Sequence, residues 1–183
     1  MRVLRKLVVG PLLLCALVGL TAGGWGQASS DDARARFAGT YRYAGGTQED
    51  DARKAVIEQG VQSMSSFTRS TARSRIMATT QILASYVFSF EPGKIKVLPE
   101  GRPVMLSGDK GEPADYVYNG KKSTLTQVIA GDRLTQVFVS ADGKRQNEFT
   151  LSQDGQSLTL KVTLTISRLS SPIVYSLSYK RAN

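Results

Sequence analysis

Histidine is absent from this sequence, and cysteine and tryptophan each occur only once, at Cys15 and Trp25. A lone cysteine cannot form an internal disulfide, and triads or zinc sites that need histidine have no residues to build them. The composition therefore excludes most hydrolase and metalloenzyme designs. We expect a protein that is not an enzyme, holds no metal or cofactor, and relies on an apolar core for its stability.

The N-terminus has the three zones of a secretory signal peptide: a basic start over residues 2–6, an apolar stretch over 7–20, and small residues before Ala28. We predict a signal peptide over residues 1–28 that is cleaved after Ala28. Sites around residues 22–24 are alternatives. The other interpretation is an uncleaved anchor helix, because the apolar segment is about 20 residues long and could span a bilayer.

Cleavage after Ala28 would leave a domain with neither thiol nor imidazole, located in the periplasm or outside the cell. Lipidation at Cys15 is not expected, because Leu14 stands where a lipoprotein signal requires a small residue. Removal of the basic start would lower the net charge of +9 by three. No nucleic-acid partner is expected, since the remaining basic residues are scattered and the aromatic residues fall on core faces.

The rest of the chain predicts one domain over residues 37–183, preceded by a flexible polar leader over residues 29–36. A first strand over residues 37–43 is followed by a helical insert, residues 47–80, which we call the lid. From residue 82 onward, apolar and polar residues alternate with a period of two, and short Asp-Gly-rich links join neighbouring strands.

These features indicate a mainly β fold: a closed or nearly closed antiparallel up-and-down β-barrel of about eight to ten strands, with a helical insert between the first and second strands. Closure is expected because it removes the exposed edges of a long meander. Residues 157–166 show the pattern best, with Leu158, Leu160 and Val162 alternating with polar residues.

The segment Phe37-Ala38-Gly39-Thr40-Tyr41 resembles the first-strand F-x-G-T-W motif of the calycins, the superfamily of lipocalins and fatty-acid-binding proteins. The resemblance implies that Tyr41, in the Trp position, packs across the closed end of the barrel and that Lys180 or Arg181 covers it. The barrel-closing set implied by this resemblance is Phe37, Gly39, Tyr41 and Arg181.

The lid is similar in placement to the helix-turn-helix of the fatty-acid-binding branch, although it is longer. That branch's Arg-x-Tyr carboxylate clamp on the final strand is not matched, because Leu177 stands two residues before Tyr179. A fatty-acid carboxylate site therefore cannot be transferred by position. The chain also resembles exported lipocalin-like proteins of bacteria, and this resemblance implies a fold more firmly than a function.

Aromatic residues concentrate on positions that should point into the barrel, and they suggest a pocket for a small hydrophobic or amphipathic ligand. The alternative is that the rings only fill the core. The predicted ligand-binding set is Tyr41, Tyr43, Tyr86, Phe88, Phe138, Tyr175 and Tyr179, with Arg73 from the lid. We expect a lipid-like carrier; the alternative is a ligand-free envelope scaffold that uses the lid as a partner surface.

Basic residues cluster in the lid, and they favour transient contact with an anionic membrane. The other interpretation of these charges is a solvated helix face. The residues concerned are Arg53, Lys54, Arg69, Arg73 and Arg75.

Overall fold

The computed structural model describes residues 30–182 of the chain. The predicted signal peptide, its cleavage after Ala28 and the interpretation of Cys15 lie outside the described residues and stay predictions. Between residues 30 and 182, no helix combines the length and the apolar character needed to cross a bilayer.

Ten antiparallel strands in this part of the chain form one sheet. In chain order they are β1 (Gly39–Tyr43), β2 (Ser85–Glu91), β3 (Lys94–Pro99), β4 (Met105–Gly108), β5 (Ala114–Tyr118), β6 (Lys121–Ala130), β7 (Arg133–Ser140), β8 (Gly143–Leu151), β9 (Ser157–Ile166) and β10 (Ile173–Arg181).

The strand order is β4-β3-β2-β1-β10-β9-β8-β7-β6-β5, so the first and last strands lie side by side. The sheet rolls into a nearly closed barrel whose seam lies between the edge strands β4 and β5. This confirms the predicted up-and-down barrel and its strand count.

Alternation of side chains explains why these segments form a barrel wall. In β9, Leu158, Leu160 and Val162 are buried, while Thr159 and Lys161 between them are exposed. Apolar side chains on one face of every strand require an enclosed core on that side.

A tight turn with a defined backbone geometry joins β5 and β6 into a hairpin. Asn119 and Gly120 have φ values of 49° and 72°. Positive φ at both central residues is typical of the type I′ turn, which matches the twist of the two strands it joins.

Two helices, α2 (Gly46–Val61) and α3 (Ser66–Thr79), follow β1 and confirm the predicted insert. Ile57 and Val61 of α2 are fully buried, and Ile76 of α3 is 6% exposed. A Cβ atom on Gly60 would lie 2.9 Å from the side chain of Ile173, the first residue of β10, so helix and barrel touch closely there. The two helices cover one end of the barrel, which we call the mouth.

A further helix, Ser30–Phe37, precedes β1 in the chain and is labelled α1. This differs from the flexible leader predicted for residues 29–36. Ala33 and Phe37, four residues apart, share one helix face and are only 2% and 0% exposed. The polarity of the segment concealed this short apolar edge, which packs against the barrel and makes the helix stable there.

Polar side chains of α1 also hold it against the barrel. Arg34 pairs with the buried carboxylate of Asp109, just after β4. Arg36 donates a hydrogen bond to the carbonyl of Ser152, which follows β8, at 3.0 Å. The helix therefore covers the end of the barrel opposite the mouth, which we call the closed end.

Candidate functional site

Arg181 organises the closed end of the barrel. It donates to the carbonyl of Ala38 at 2.6 Å and to the carbonyl of Gly155 at 2.9 Å, and it also contacts the hydroxyl of Tyr41. Its guanidinium lies 4.8 Å from the centre of the Tyr41 ring. The structure thus places Arg181, and not the exposed Lys180, over Tyr41.

Gly39 has no room for a side chain beneath this arginine. A Cβ atom at residue 39 would lie 2.5 Å from Nη1 of Arg181, and the φ of 134° is unfavourable for other residues. Phe37 is fully buried and packs 6.1 Å from the ring of Phe88. All four residues of the barrel-closing set therefore meet in one contact region.

We expect the substitution Arg181→Lys to destabilise the fold by about 2 kcal/mol, because lysine retains the charge but cannot reproduce the forked hydrogen bonds. Urea unfolding monitored by circular dichroism measures the change. Lys180→Arg on the exposed face of the same strand is the control, and it should change stability by less than about 0.5 kcal/mol. Equal effects of the two substitutions would contradict the structural role assigned to Arg181.

Aromatic rings fill the barrel between the closed end and its middle. Phe88 and Phe149 lie edge to face with centroids 5.1 Å apart, and Tyr86 makes similar contacts with Phe149 and Tyr179 at 5.2 and 5.3 Å. The exposed fraction of these four side chains is at most 2%. This part of the interior is packed by side chains.

A row of buried amide side chains lines the inner wall of the barrel on the mouth side of Phe149. Gln127, Gln136 and Asn147 occupy adjacent positions on β6, β7 and β8, directly opposite one another in the strand register. Asn147 donates to Gln136 at 3.1 Å, and Gln136 donates to Gln127 at 2.7 Å. All three are at most 1% exposed. We call this group the amide row.

The amide row is bonded at both of its ends. Gln127 donates to the carbonyl of Ile95 at 3.0 Å and to the hydroxyl of Ser107 at 3.1 Å, so it bridges from β6 to β3 and β4 across the seam. At the other end, Nε of Arg145 donates to Oδ1 of Asn147 at 2.8 Å. Each side chain therefore donates a hydrogen bond to the next one, from Arg145 at the mouth to the carbonyl of Ile95 beside the seam.

Two guanidinium groups lie at the mouth. Arg145 donates to the carbonyl of Thr79, at the end of α3, at 3.0 Å and so ties the lid to the barrel. Arg102, in the loop between β3 and β4, stacks 4.9 Å from the ring centre of Tyr118. In the described part of the chain, no carboxylate forms an ion pair with either arginine.

Both arginines act on the same set of phenols. Burial raises the pKa of Tyr86, Tyr116 and Tyr175, whereas the positive charges of Arg102 and Arg145 lower it by a smaller amount. An electrostatic effect on the same three phenols indicates that both guanidinium groups lie near them.

Two polar atoms in this region are buried without a hydrogen-bond partner among residues 30–182: Nη2 of Arg102 and the hydroxyl of Tyr116. Tyr116 is 8% exposed, and its ring packs edge to face on Phe138 at 5.3 Å. An unsatisfied buried polar group destabilises a fold by about 1–3 kcal/mol. Each of the two groups can donate a hydrogen bond to an acceptor oxygen of a ligand.

The structure divides the predicted ligand-binding aromatics between two environments. Tyr41, Tyr86, Phe88 and Tyr179 belong to the packed lower interior, and only Phe138 and Tyr175, 9% and 7% exposed, border the mouth.

Tyr43 and Arg73 lie elsewhere. Tyr43 is half-buried, and its hydroxyl donates to the carbonyl of Gly46 at 2.8 Å. Arg73 lies on the lid surface, where it pairs with Glu58 of α2 at 2.7 Å. Neither side chain therefore forms part of the region between Arg102 and Arg145.

Other basic residues of the lid also make internal contacts. Arg53 is 6% exposed and donates to Asp50 and, at 3.0 Å, to Thr80. Arg69 donates to the main-chain carbonyls of Gln62 and Met64 at 3.1 and 3.0 Å. These charges hold α2 and α3 together, which leaves fewer of them for a membrane surface.

Sequence reasoning missed the residues that distinguish the mouth and the row beneath it. The sequence did contain evidence for the amide row. Gln127, Gln136 and Asn147 each lie two residues from an apolar residue of the same strand, and so on its buried face; these apolar residues are Leu125, Leu134 and Phe149. A polar residue in such a register is buried and must be hydrogen-bonded. The sequence gives no comparable evidence for Arg102 and Tyr116, because apolar and polar residues do not alternate regularly in the loop-rich segment around them.

Two surface grooves lie outside the barrel. One, of about 500 Å³, runs beside α1 and the turn after β2. The other, of about 620 Å³, lies between the start of α2 and the segment before β2, and Tyr43 contributes to it. Within residues 30–182, no group of three or more Asp, Glu, His or Cys side chains is placed to hold a metal ion.

Comparison with known proteins identifies the fold. No family model and no curated protein matches the chain. Among solved structures, a fatty acid binding protein of Schistosoma mansoni in complex with arachidonic acid is 17% identical, with a TM-score of 0.51 over 82% of this chain and 99% of that one. A secretory abundant heat soluble protein of Ramazzottius varieornatus is 8% identical, with a TM-score of 0.54 over 80% and 96% of the two chains. The chain has a calycin-type barrel fold like that of the fatty-acid-binding proteins.

Proposed function

We propose that this protein is a carrier that binds one small amphipathic anion at the mouth of its barrel, between Arg102 and Arg145. The observation that carries this proposal is the pair of guanidinium groups, one of them with a buried and unsatisfied Nη2 atom, in a region walled by aromatic rings. Catalysis has no part in this proposal.

Charge explains why the ligand should be an anion. A buried or half-buried cation without a carboxylate partner is unfavourable, and an incoming carboxylate, sulfonate or phosphate group supplies the missing charge and acceptor oxygens. Arginine suits this task because its planar group binds two oxygens at once. The neighbouring hydroxyl of Tyr116 adds a third donor.

Apolar contacts explain why the ligand should also carry a hydrophobic part. Aromatic rings lie beside the proposed site, since Arg102 stacks on Tyr118 and Tyr116 packs against Phe138. Each square ångström of apolar ligand surface that such rings cover contributes about 25 cal/mol. The similar Schistosoma mansoni protein was solved with arachidonic acid, which has the same combination of a carboxylate and an apolar body. That likeness supports the class of ligand without specifying it.

The test compares a charged probe with a neutral one of the same shape. We expect 2-naphthoate to bind at least about tenfold more tightly than 2-naphthylmethanol, since a hydrogen bond to a charged group contributes about 1.5–3 kcal/mol. Calorimetric titration gives both affinities. Arg102→Met and Arg145→Met should each reduce the difference to about threefold or less.

Arg75→Met is the matched control, because Arg75 is exposed on α3 and its loss changes the net charge by the same amount. It should leave both affinities unchanged. If neither probe binds to the wild-type protein, the carrier proposal fails. The packed lower barrel and Phe67, which is 90% exposed at the start of α3, would then favour a ligand-free scaffold that contacts a partner through the lid.

We also propose that the carrier works outside the cytoplasm, on the strength of the signal-peptide pattern in residues 1–28. The intact mass of protein recovered from the periplasm or the medium tests this. A mass that begins at Ser29 supports the proposal, whereas a full-length chain found only in the cytoplasm would refute it.

A further inference from the structure

We propose that the ligand is a short or ring-shaped carboxylate held above the amide row, and that long-chain fatty acids are excluded. This inference rests on the proposed function and specifies the ligand class of the same site. It follows from how the barrel interior is divided, with Arg102 and Arg145 above and Gln127, Gln136 and Asn147 below.

The amide row lies a short distance beneath the proposed anion site. Asn147 is two residues from Arg145 on the same face of β8, a separation of about 7 Å along a strand. The row extends from β8 across β7 to β6, and Gln127 continues it to β3 and β4. Side chains from four strands and a main-chain carbonyl of β3 therefore form a continuous hydrogen-bonded band on this side of the barrel, which we call the floor.

This floor resists displacement by an apolar chain. Every amide nitrogen in it donates a hydrogen bond, and the three amides are at most 1% exposed. A hydrocarbon tail that pushed between them would leave buried amide groups without partners, which is unfavourable. Phe149, the next buried residue of β8 below the row, packs against Tyr86 and Phe88, so side chains fill the space that a tail would need.

The region above the floor is different. Its aromatic and aliphatic walls retain some exposure, at 8% for Tyr116, 9% for Phe138, and 7% for both Leu164 and Tyr175. The unpartnered Nη2 of Arg102 and hydroxyl of Tyr116 gain hydrogen bonds when a ligand enters this region. The amide groups of the floor would instead lose the hydrogen bonds that they already make. Opening the mouth is therefore favoured over opening the floor, and flat aromatic walls suit a planar ring.

A series of ligands of increasing length tests this inference on the wild-type protein. We expect the affinity for saturated carboxylates to rise about fourfold per methylene from butanoate to about octanoate, and then to stay level up to hexadecanoate. 2-Naphthoate should bind at least tenfold more tightly than hexadecanoate. Calorimetric titration below the critical micelle concentration of each ligand measures both quantities.

The possible outcomes separate the two proposals. A continuous rise in affinity up to hexadecanoate overturns this inference and leaves the carrier function intact. An absence of binding for every carboxylate overturns both.

Two variants locate the binding site relative to the floor. Phe138→Leu, in the wall above the amide row, should weaken 2-naphthoate about fivefold and hexanoate less than twofold, because only the ring loses an aromatic contact. Phe149→Leu, the same substitution below the row, should leave both affinities within twofold of wild type. A larger effect from Phe149→Leu than from Phe138→Leu would place the ligand beneath the floor and overturn the inference.

Discussion

Raising the pH above about 10 should unfold this protein steeply. Five tyrosines, buried in the barrel, have a pKa that burial raises above the usual value for a phenol: Tyr41, Tyr86, Tyr116, Tyr175 and Tyr179. In the unfolded chain each phenol ionises near pH 10, whereas in the folded chain burial raises its pKa, so that it ionises at a higher pH. Their contribution is complete below about pH 10 and is lost as the pH rises towards the folded values.

The expected size of this effect is large. Each phenol that ionises only in the unfolded state removes about 1.4 kcal/mol of stability per pH unit above its unfolded pKa. Five such groups together would remove a large part of the about 5–15 kcal/mol that is the total stability of a typical domain. Alkaline unfolding should therefore begin above about pH 10, where the phenols of the unfolded chain ionise.

Circular dichroism and phenolate absorbance, followed together during an alkaline titration, measure this transition. The absorbance of these five phenols should change at the same pH as the circular dichroism, because they ionise when the barrel opens. Tyr175→Phe removes one of the five groups and should make the pH dependence shallower. The sequence has seven tyrosines, of which Tyr43 and Tyr118 are half-buried, so phenolate absorbance from more than two tyrosines near pH 10 in a barrel still folded would contradict the prediction.

Neutral pH should have little influence on stability. Since the sequence contains no histidine, no side chain with an ordinary pKa between about 5 and 8 is present. The free energy of unfolding is therefore expected to be level from about pH 6 to 9, so that the alkaline transition stands out against a flat baseline.

The substitution Gln136→Leu should destabilise the fold by about 2–4 kcal/mol. It removes the central member of the amide row and leaves Oε1 of Gln127 and Nδ2 of Asn147 buried without partners. Each unsatisfied group is unfavourable by about 1–3 kcal/mol, and the added apolar surface offsets only part of this. For a domain of this size the midpoint of thermal unfolding should fall by about 10 °C.

Gln146→Leu provides the matched control. Gln146 neighbours Asn147 on β8 but points to the opposite face of the strand, where it is half-buried. Its substitution should alter the melting temperature by no more than about 2 °C. Similar losses for the two variants would show that the amide row contributes no more than an ordinary surface residue.

The sequence was sufficient to predict the barrel because most of its strands carry a period of two. Residues 157–166 illustrate this, since the alternation predicted there and the observed β9 cover the same residues. The lid was predictable from the change to helical spacing in residues 47–80. In both cases the spacing of apolar residues within one segment is enough to predict the element, and tertiary contacts stabilise the same element.

Other features depend on contacts between distant residues, and local patterns could not show them. Helix α1 is stable because Ala33 and Phe37 meet a barrel that is formed by residues far along the chain. The mouth is assembled from a loop residue, Arg102, and a strand residue, Arg145, which are brought together only by the closure of the sheet. Arg73 was placed in the ligand set for its charge alone, whereas Glu58 holds it on the lid surface.

The pairing of β1 with β10 has a consequence for the order of folding. Arg36 and Arg181 tie the residues around β1 to Ser152 and to β10 through hydrogen bonds that span 116 to 145 positions. Closing loops of that length is entropically costly, so these contacts should form after the local hairpins. During synthesis the chain would remain an open meander until residue 181 had emerged, because the last strand supplies the partner that the first strand needs.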